Sequence, residues 1–318
     1  MSETRSDRTQ PCELCGVKEF TLVDQFDRRG DCLHTVVCRG CGLVSHESIP
    51  TDAELQSYYA NEYRQDYHGE QTPSAHRVIR AWAVGQWLLR QLKDFVKPND
   101  RICEVGAGIG CTVKAFELSG YNTTGIEPGA GFYRFGSGQL RAPLQQLSLY
   151  DVPPVPSYDF ILLVHVIEHF SSPRQALTHL RSLMSPEARL YVECPNIAGA
   201  HAAPGKQFHF AHVYNFSPET LVWLAESCGL SVHACLSKRN DRVLRYLLER
   251  AERPNKVDTR GGYEKTMGAL QRYSLLTYHL RPAYLIDRLY REFRFTSNHV
   301  AAKWRVEKLT RRCLTTAQ

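Results

Sequence analysis

The chain has 318 residues, 43% hydrophobic and 23% charged, which is globular and excludes disordered, collagen-like and coiled-coil compositions. It is longer than one ordinary domain, so one full-sized domain with appendages is expected. The net charge of +6 is uneven: residues 261–318 hold eleven Lys/Arg against four Asp/Glu, a net of +7, leaving −1 for the other 260.

No uncharged apolar run approaches the roughly 18–20 residues that cross a bilayer. The start, MSETRSDRTQ, lacks the apolar core of a signal peptide. The expectation is a soluble, cytoplasmic chain without a transmembrane segment.

In chain order, residues 10–50 come first. Short strand-like pieces, Phe20–Val23 and His34–Val37, lie between the knuckles Cys12-Glu13-Leu14-Cys15-Gly16 and Cys38-Arg39-Gly40-Cys41-Gly42, which are 22 residues apart. The chain has eleven cysteines, an odd number, and in a reducing compartment thiols are read as ligands or core residues before disulfides. Cys12, Cys15, Cys38 and Cys41 complete a tetrahedral zinc site with no open position, hence a structural one. Such a metal replaces the core that about 40 residues are too few to build. Two free or redox-active pairs are the alternative. Cys32 and His34 break the spacing and stay outside the set.

Residues 51–74 read as a polar, tyrosine-rich linker in which Thr51 or Asp52 caps a helix from Ala53. Ser74–Phe95 has helical periodicity, with Val78, Ile79, Trp82, Trp87, Leu88 and Leu92 on one broad face. Lys97-Pro98-Asn99-Asp100 then breaks the chain. Strands are expected at Arg101–Val105, Tyr121–Ile126, Leu144–Leu149, Tyr158–Val166 and Arg189–Glu193, and near 230–236 and 242–248. Helices are expected at Thr112–Ser119, in the 130s, and at Ser172–Leu183 and Pro218–Ser227. This alternation predicts an α/β domain over 75–250, a parallel sheet covered on both faces. Residues 251–318 read as a basic helical extension with helices at 264–280, 283–294 and 298–312.

The segment Glu104-Val105-Gly106-Ala107-Gly108-Ile109-Gly110 follows a strand and opens a helix. Glycines there let backbone approach a ligand closely. A dinucleotide fold shares such a turn, but its spacing wants a small residue where Cys111 stands. The second strand ends in Gly125-Ile126-Glu127-Pro128, which places a carboxylate to accept ribose hydroxyls. Together these residues resemble the class I S-adenosylmethionine-dependent methyltransferases, whose fold is a Rossmann-like doubly wound sheet. The resemblance implies Glu104 near the methionine amino group, Gly106, Ala107, Gly108 and Gly110 under the cofactor, and Glu127 on the ribose. Asp151 is the candidate for the adenine.

The fourth strand ends in His165-Val166-Ile167-Glu168-His169-Phe170, and ligands of open α/β sheets bind at such strand ends. The run resembles the Glu-His signature of small-molecule and sugar methyltransferases, the ubiquinone O-methyltransferase type included. Methylating a hydroxyl requires removal of its proton, and a neutral histidine suits that task. His169 is one candidate base, and the resemblance implies that His165 touches the cofactor. The scaffold reading has Glu168 capping the next helix with His169 packed beneath it; a divalent metal on Glu168 and His169 is a further option.

Gln207–Ser217 resembles the F-x-x-x-H-x-x-x-F-S segment that covers the acceptor in sugar methyltransferases. His212 matches its histidine, and His209 and Tyr214 lie on the same loop. The ribbon, followed by Tyr58-Tyr59-Ala60-Asn61-Glu62-Tyr63, resembles the module fused to bacterial methyltransferases for sugars and surface glycans. That resemblance implies a ribbon beside the acceptor entrance.

No D/N-P-P-Y/F motif follows the fourth strand, and Cys194-Pro195 reverses the Pro-Cys order of cytosine C5-methylation. Both absences weigh against a nucleic-acid base as acceptor. The expected reaction is methyl transfer from S-adenosylmethionine to a hydroxyl of a sugar, glycan or related small molecule, with nucleotide- or phosphate-linked acceptors included. Carbon methylation of a ketosugar, RNA methylation with a zinc ribbon, and a non-catalytic binding module are the alternatives. The basic tail is read either as a surface for anionic partners or as the solvated face of docked helices.

Overall fold

The computed structural model describes residues 6, 8–58, 73–238, 241–290 and 301–315. The expected tyrosine-rich linker lies largely outside them, as do parts of the expected 283–294 and 298–312 helices. Two compact units are present: Met1–Leu55, Val164–Ser182 and Arg189–Leu285 in the first, Gln56–Leu163, Leu183–Ala188 and Ile286–Gln318 in the second. In chain order the strands are β1 (Phe20–Phe26), β2 (Cys32–Cys38), β3 (Val44–His46), β4 (Arg101–Val105), β5 (Asn122–Ile126), β6 (Leu144–Gln145), β7 (Tyr158–Val164), β8 (Met184–Pro195), β9 (Tyr214–Asn215), β10 (Leu230–Cys235) and β11 (Val243–Arg250).

The second unit holds the parallel strands, a Rossmann-like α/β arrangement. β4 pairs with β5 from Arg101↔Asn122 to Val105↔Ile126 and with β7 from Ile102↔Phe160 to Val105↔Leu163, and β5 pairs with β6 at Gly125↔Leu144. Phe160, Ile161, Leu162 and Leu163 are all buried, as the strand of a sheet covered on both faces requires. Helix Ala75–Leu92 crosses helix Cys111–Glu117 closely: a Cβ on Gly85 would stand 2.9 Å from the Thr112 Cα. Val78, Ala107, Ile109, Cys111, Val113, Leu140, Ala142 and Leu144 form the core there, and Leu309 and Cys313 of helix Ala302–Thr315 complete it. The end of the basic tail is therefore a docked helix.

β6 is shorter than the expected Leu144–Leu149. Ser148 and Asp151 form a reciprocal capping box, and the chain turns into a short 3₁₀ helix, Leu149–Asp151.

In the first unit β1, β2, β3 and β9 form an antiparallel sheet. Each knuckle closes because its glycine takes a left-handed conformation: Gly16 (φ 77°) donates to the Cys12 carbonyl and Gly42 (φ 78°) to that of Cys38. Helix Gly262–Leu270 covers β2 and β3 through Tyr263, Met267 and Leu270, packed on Val37, Val44, Ile197 and Phe208.

β10 and β11 occur where the sequence places them but run antiparallel, β11 also pairing antiparallel with β8. The connection 236–242 is too short for the dozen or more residues of a parallel crossover. The expected helix 264–280 is two helices, Gly262–Leu270 and Leu275–His279, because Ser274 caps a fresh start by accepting from the Thr277 N–H. No described helix is long and apolar enough to cross a membrane.

Candidate active site

The glycine turn belongs to the second unit. Gly106, Gly108 and Gly110 have φ of 70°, 54° and 75°, conformations other residues adopt only with strain. Their surroundings differ. A Cβ on Gly110 would stand 2.9 Å from Leu144, whereas one on Gly108 would meet nothing within 4 Å. Gly110 thus serves packing, and Gly108 leaves room for a ligand. Ala107 ties the turn to β5 by donating its N–H to the Ile126 carbonyl at 2.9 Å.

Two carboxylates flank the turn. Glu127 accepts the Gly108 N–H at 2.8 Å on one oxygen and the Gly129 N–H at 2.7 Å on the other, and each carboxylate oxygen can accept again. Glu104 is 5% exposed, and its Oε2 has no hydrogen-bond partner. Burial pushes Glu104 up to about 8; hydrogen bonds from Thr112 and Val113 pull the other way, and the nearby Glu127 adds to the rise. A buried carboxylate with one orphaned oxygen suits an ammonium group. The residues present therefore fit an amino-acid-bearing cofactor: Glu104 for the amino group, Gly108 for close approach and Glu127 for hydroxyls. Asp151, the adenine candidate, is engaged by Ser148 at the surface.

The acid–histidine cluster belongs to the first unit. His165 is a non-glycine residue at φ 54°, and its N–H bonds the Glu193 carbonyl at 2.7 Å. The unusual backbone turns the ring between two acids, with Nδ1 3.4 Å from Glu168 and Nε2 3.3 Å from Glu193. Burial alone would lower the His165 pKa, but those carboxylates outweigh it and raise it to about 10. Glu193 is held further by the Tyr191 hydroxyl at 2.6 Å and Arg245 Nε at 3.0 Å.

Glu168 is 1% exposed and lies on the short turn Ile167–His169. The Nε2 atoms of His169 and His212 lie 4.0 and 3.9 Å from its Oε1. His169 Nδ1 donates to the Ala211 carbonyl at 2.6 Å, which fixes the ring and leaves Nε2 toward the acid. Burial, then the neighbouring His209 and His169, hold His212 well below the ordinary histidine value. His209 is driven by burial to about 2, its ring centroid 3.7 Å from that of His212. The sequence names Glu168 and His169 together and His212 apart from them, and the fold gathers all three within one cluster.

β3 shapes this cluster. His46 is 2% exposed, donates its N–H to the Val213 carbonyl and packs on Phe210, and burial lowers it to about 4. Neither His46 nor the Glu193–Arg245 pair was named from sequence. For Glu193 a signal existed, an acid closing the apolar run Leu190-Tyr191-Val192, whereas His46 had none.

In the first unit the Sγ atoms of Cys12, Cys15, Cys38 and Cys41 lie within 4.8 Å of one another, with Cys12–Cys41 at 3.5 Å and Cys15–Cys38 at 3.4 Å. Tetrahedral zinc with bonds near 2.3 Å separates its sulfurs by about 3.8 Å, so the donor set fits that ion.

Residues 74–234 match the family described as a methyltransferase domain. The chain belongs to that family. It is an enzyme, an S-adenosylmethionine-dependent methyltransferase of the class I fold. Among solved structures it is similar to an S-adenosylmethionine-dependent methyltransferase from Archaeoglobus fulgidus (14% identity, 59% of this chain and 98% of that one, TM-score 0.45). It is also similar to the magnesium protoporphyrin IX methyltransferase from Synechocystis with S-adenosylmethionine bound (15%, 64% and 100%, TM-score 0.44). A methyltransferase from Methanosarcina mazei is a third (16%, 51% and 98%, TM-score 0.42). No curated protein matches the chain significantly.

Proposed function

We propose that the enzyme methylates a hydroxyl of a sugar, glycan or related small molecule, with the His169–His212 pair accepting the hydroxyl proton. The observation that carries this reading is the buried Glu168 carboxylate about equally distant from both Nε2 atoms. Proton uptake by either ring creates a cation beside a carboxylate shielded from water, which stabilises the imidazolium as it forms. His212, kept neutral by burial, is in the state a base requires. His165, held protonated between Glu168 and Glu193, is not.

When bound, S-adenosylmethionine supplies an electrophilic sulfonium methyl. Glu104 receives its amino group, Gly108 leaves it room, and Glu127 accepts its ribose hydroxyls. The imidazole of His169 or His212 would take the proton of the acceptor hydroxyl. Cys12, Cys15, Cys38 and Cys41 hold a structural zinc, so that residues 10–50 are a ribbon ahead of a catalytic domain at 75–250.

The test is turnover on a panel of free and nucleotide-linked sugars. Glu168→Gln, His169→Ala and His212→Ala are each measured for turnover and for cofactor affinity. Loss of general-base help costs about 10²–10⁴-fold in kcat, with cofactor affinity unchanged. Full turnover by both histidine variants would remove the base from this cluster. NMR of the product separates oxygen from carbon methylation.

One observation favours a second reading. Donor atoms of Glu168, His169 and His212 lie within 4.8 Å of one another, a carboxylate–imidazole set that a divalent cation accepts. Turnover abolished by a chelator and restored by one divalent ion, with the ribbon zinc still bound, would replace the proton-relay reading.

A further inference from the structure

We propose that the outward face of helix Ala302–Thr315 binds single-stranded RNA, its arginines and lysine meeting phosphates and Trp304 stacking on an unpaired base. The helix carries Lys303, Arg305, Lys308, Arg311 and Arg312 against Glu307, a net of +4 in 14 residues. All six of these charged side chains are exposed. The whole face lies within the second unit.

The core fixes which side of the helix turns outward. Ala302, Leu309 and Cys313 are buried, and Val306 packs against the same core as the last two, so these four positions mark one side. Trp304, Lys308 and Arg311 follow the i, i+4, i+7 spacing on the opposite side, with Arg305 and Arg312 flanking them. The one acid, Glu307, stands at the edge of that face. Trp304 is 61% exposed, and the Lys308 ammonium lies 5.4 Å from the centre of its ring. So exposed an indole contributes little to the core; it offers a flat ring with cations around it.

Ring and charge together select the partner. A membrane-surface helix presents an apolar side to the acyl boundary, and here that side is taken up by the core. A second copy of the chain would bring like charges face to face. An acidic peptide matches the cations but leaves the indole unused. A nucleotide answers both, with a phosphate for the cations and a flat base for the indole, the combination by which single strands are held without regard to sequence. A duplex keeps its bases stacked inside, so only unpaired bases reach the ring, and unpaired stretches are ordinary in RNA. The strand is bound here and not methylated, so the inference stands apart from the hydroxyl acceptor.

The test is fluorescence anisotropy of a short labelled oligouridylate titrated with the full chain. An RNA duplex of the same length, an oligoglutamate peptide and vesicles of phosphatidylcholine mixed equally with phosphatidylglycerol are run beside it. With Arg305, Lys308, Arg311 and Arg312 each on a phosphate, single-strand affinity falls roughly fiftyfold as salt rises from about 50 to about 200 mM. Trp304→Ala weakens binding about tenfold, while Trp304→Phe, which keeps a stacking ring, stays within about threefold of the parent. Arg305→Gln combined with Lys308→Gln weakens binding and flattens its salt dependence. Melting temperatures equal to the parent's show that these surface variants are folded. Absence of single-strand binding overturns the proposal, as does binding indifferent to the Trp304 and charge variants. So does duplex, oligoglutamate or vesicle binding as tight as that of the single strand, which would assign the face to that partner instead.

Discussion

In the proposed site, Glu104 sets cofactor grip against stability in one side chain. The folded apoprotein keeps a proton on it up to about pH 8, while the unfolded chain releases it near the ordinary 4.5. The folded state binds the extra proton in that window, so stability falls as pH rises from about 4.5 to about 8 and is level beyond. Glu104→Gln removes this penalty, so the melting temperature of the variant exceeds the parent's by more at pH 8 than at pH 5, read by calorimetry. The same change weakens S-adenosylmethionine by about 1.5–3 kcal/mol, the range for a hydrogen bond to a charged group. Parent binding at pH 6.5 should release nearly one proton, seen as a buffer-dependent enthalpy, and the variant should release none. Proton release unchanged in Glu104→Gln would place the methionine amino group elsewhere. Glu104 and Glu127 could be named from the sequence because one lies in the strand leading into the glycine turn and the other directly follows the next strand. His46 was not, since nothing local marks a histidine that contacts a loop more than 160 residues away.

Among the elements, the β3–β9 pairing links the cysteine knuckles to the proposed base His212. β3 leaves the second knuckle at Val44 and pairs with β9 at Val44↔Asn215 and Ser45↔Tyr214, and His212 stands two residues before β9. The knuckle is clasped as well: the Thr259 hydroxyl donates to the Gly40 carbonyl, and Tyr263 bonds Thr21 and lies beneath Arg39. Cys38→Ser should therefore release zinc, loosen the sheet that seats His212, and lower turnover at least tenfold. Cofactor affinity should stay within about twofold, since turn and acids belong to the other unit; such splits between kcat and binding mark loss of a group needed only in the transition state. Metal analysis, turnover and calorimetry on one preparation check all three, and full turnover in a zinc-free variant would refute the link. Most strands were legible from apolar runs and turn residues, but the short β3 and β9 were not. The parallel direction of β4, β5, β6 and β7 was legible from the strand–helix alternation, whereas the antiparallel pairing of β10 and β11 was missed, although the short connection 236–242 already excludes a parallel crossover. The split at Ser274 was equally hidden, since amphipathic periodicity continues through it and only the cap reveals the break.

At the scale of the molecule, the C-terminal helix belongs to the unit that carries the glycine turn. Leu309 is 7% exposed and Cys313 fully buried, both in one core with Val78 of helix Ala75–Leu92 and with Ala107, Ile109 and Cys111 in and just after the glycine turn. Charge composition alone showed a basic extension; it could not show that two of its apolar side chains close a core whose other buried members, Val78 to Leu144, lie far earlier in the chain. Leu309→Ala leaves a cavity under that turn and should destabilise the protein by about 2–5 kcal/mol, the usual cost of truncating a buried leucine. Chemical denaturation followed by tryptophan fluorescence measures the loss. With S-adenosylmethionine bound at the native turn as proposed, cofactor at a hundred times its dissociation constant should return about 2.7 kcal/mol, so the variant recovers much of its stability when loaded. A variant as stable as the parent would mean that the helix merely rests on the surface. A destabilised variant that cofactor fails to restore would separate the Leu309 core from the cofactor turn. Recovery by cofactor, with zinc content unchanged, would show that the final helix supports the cofactor turn and that the cysteine sheet holds its metal independently of it.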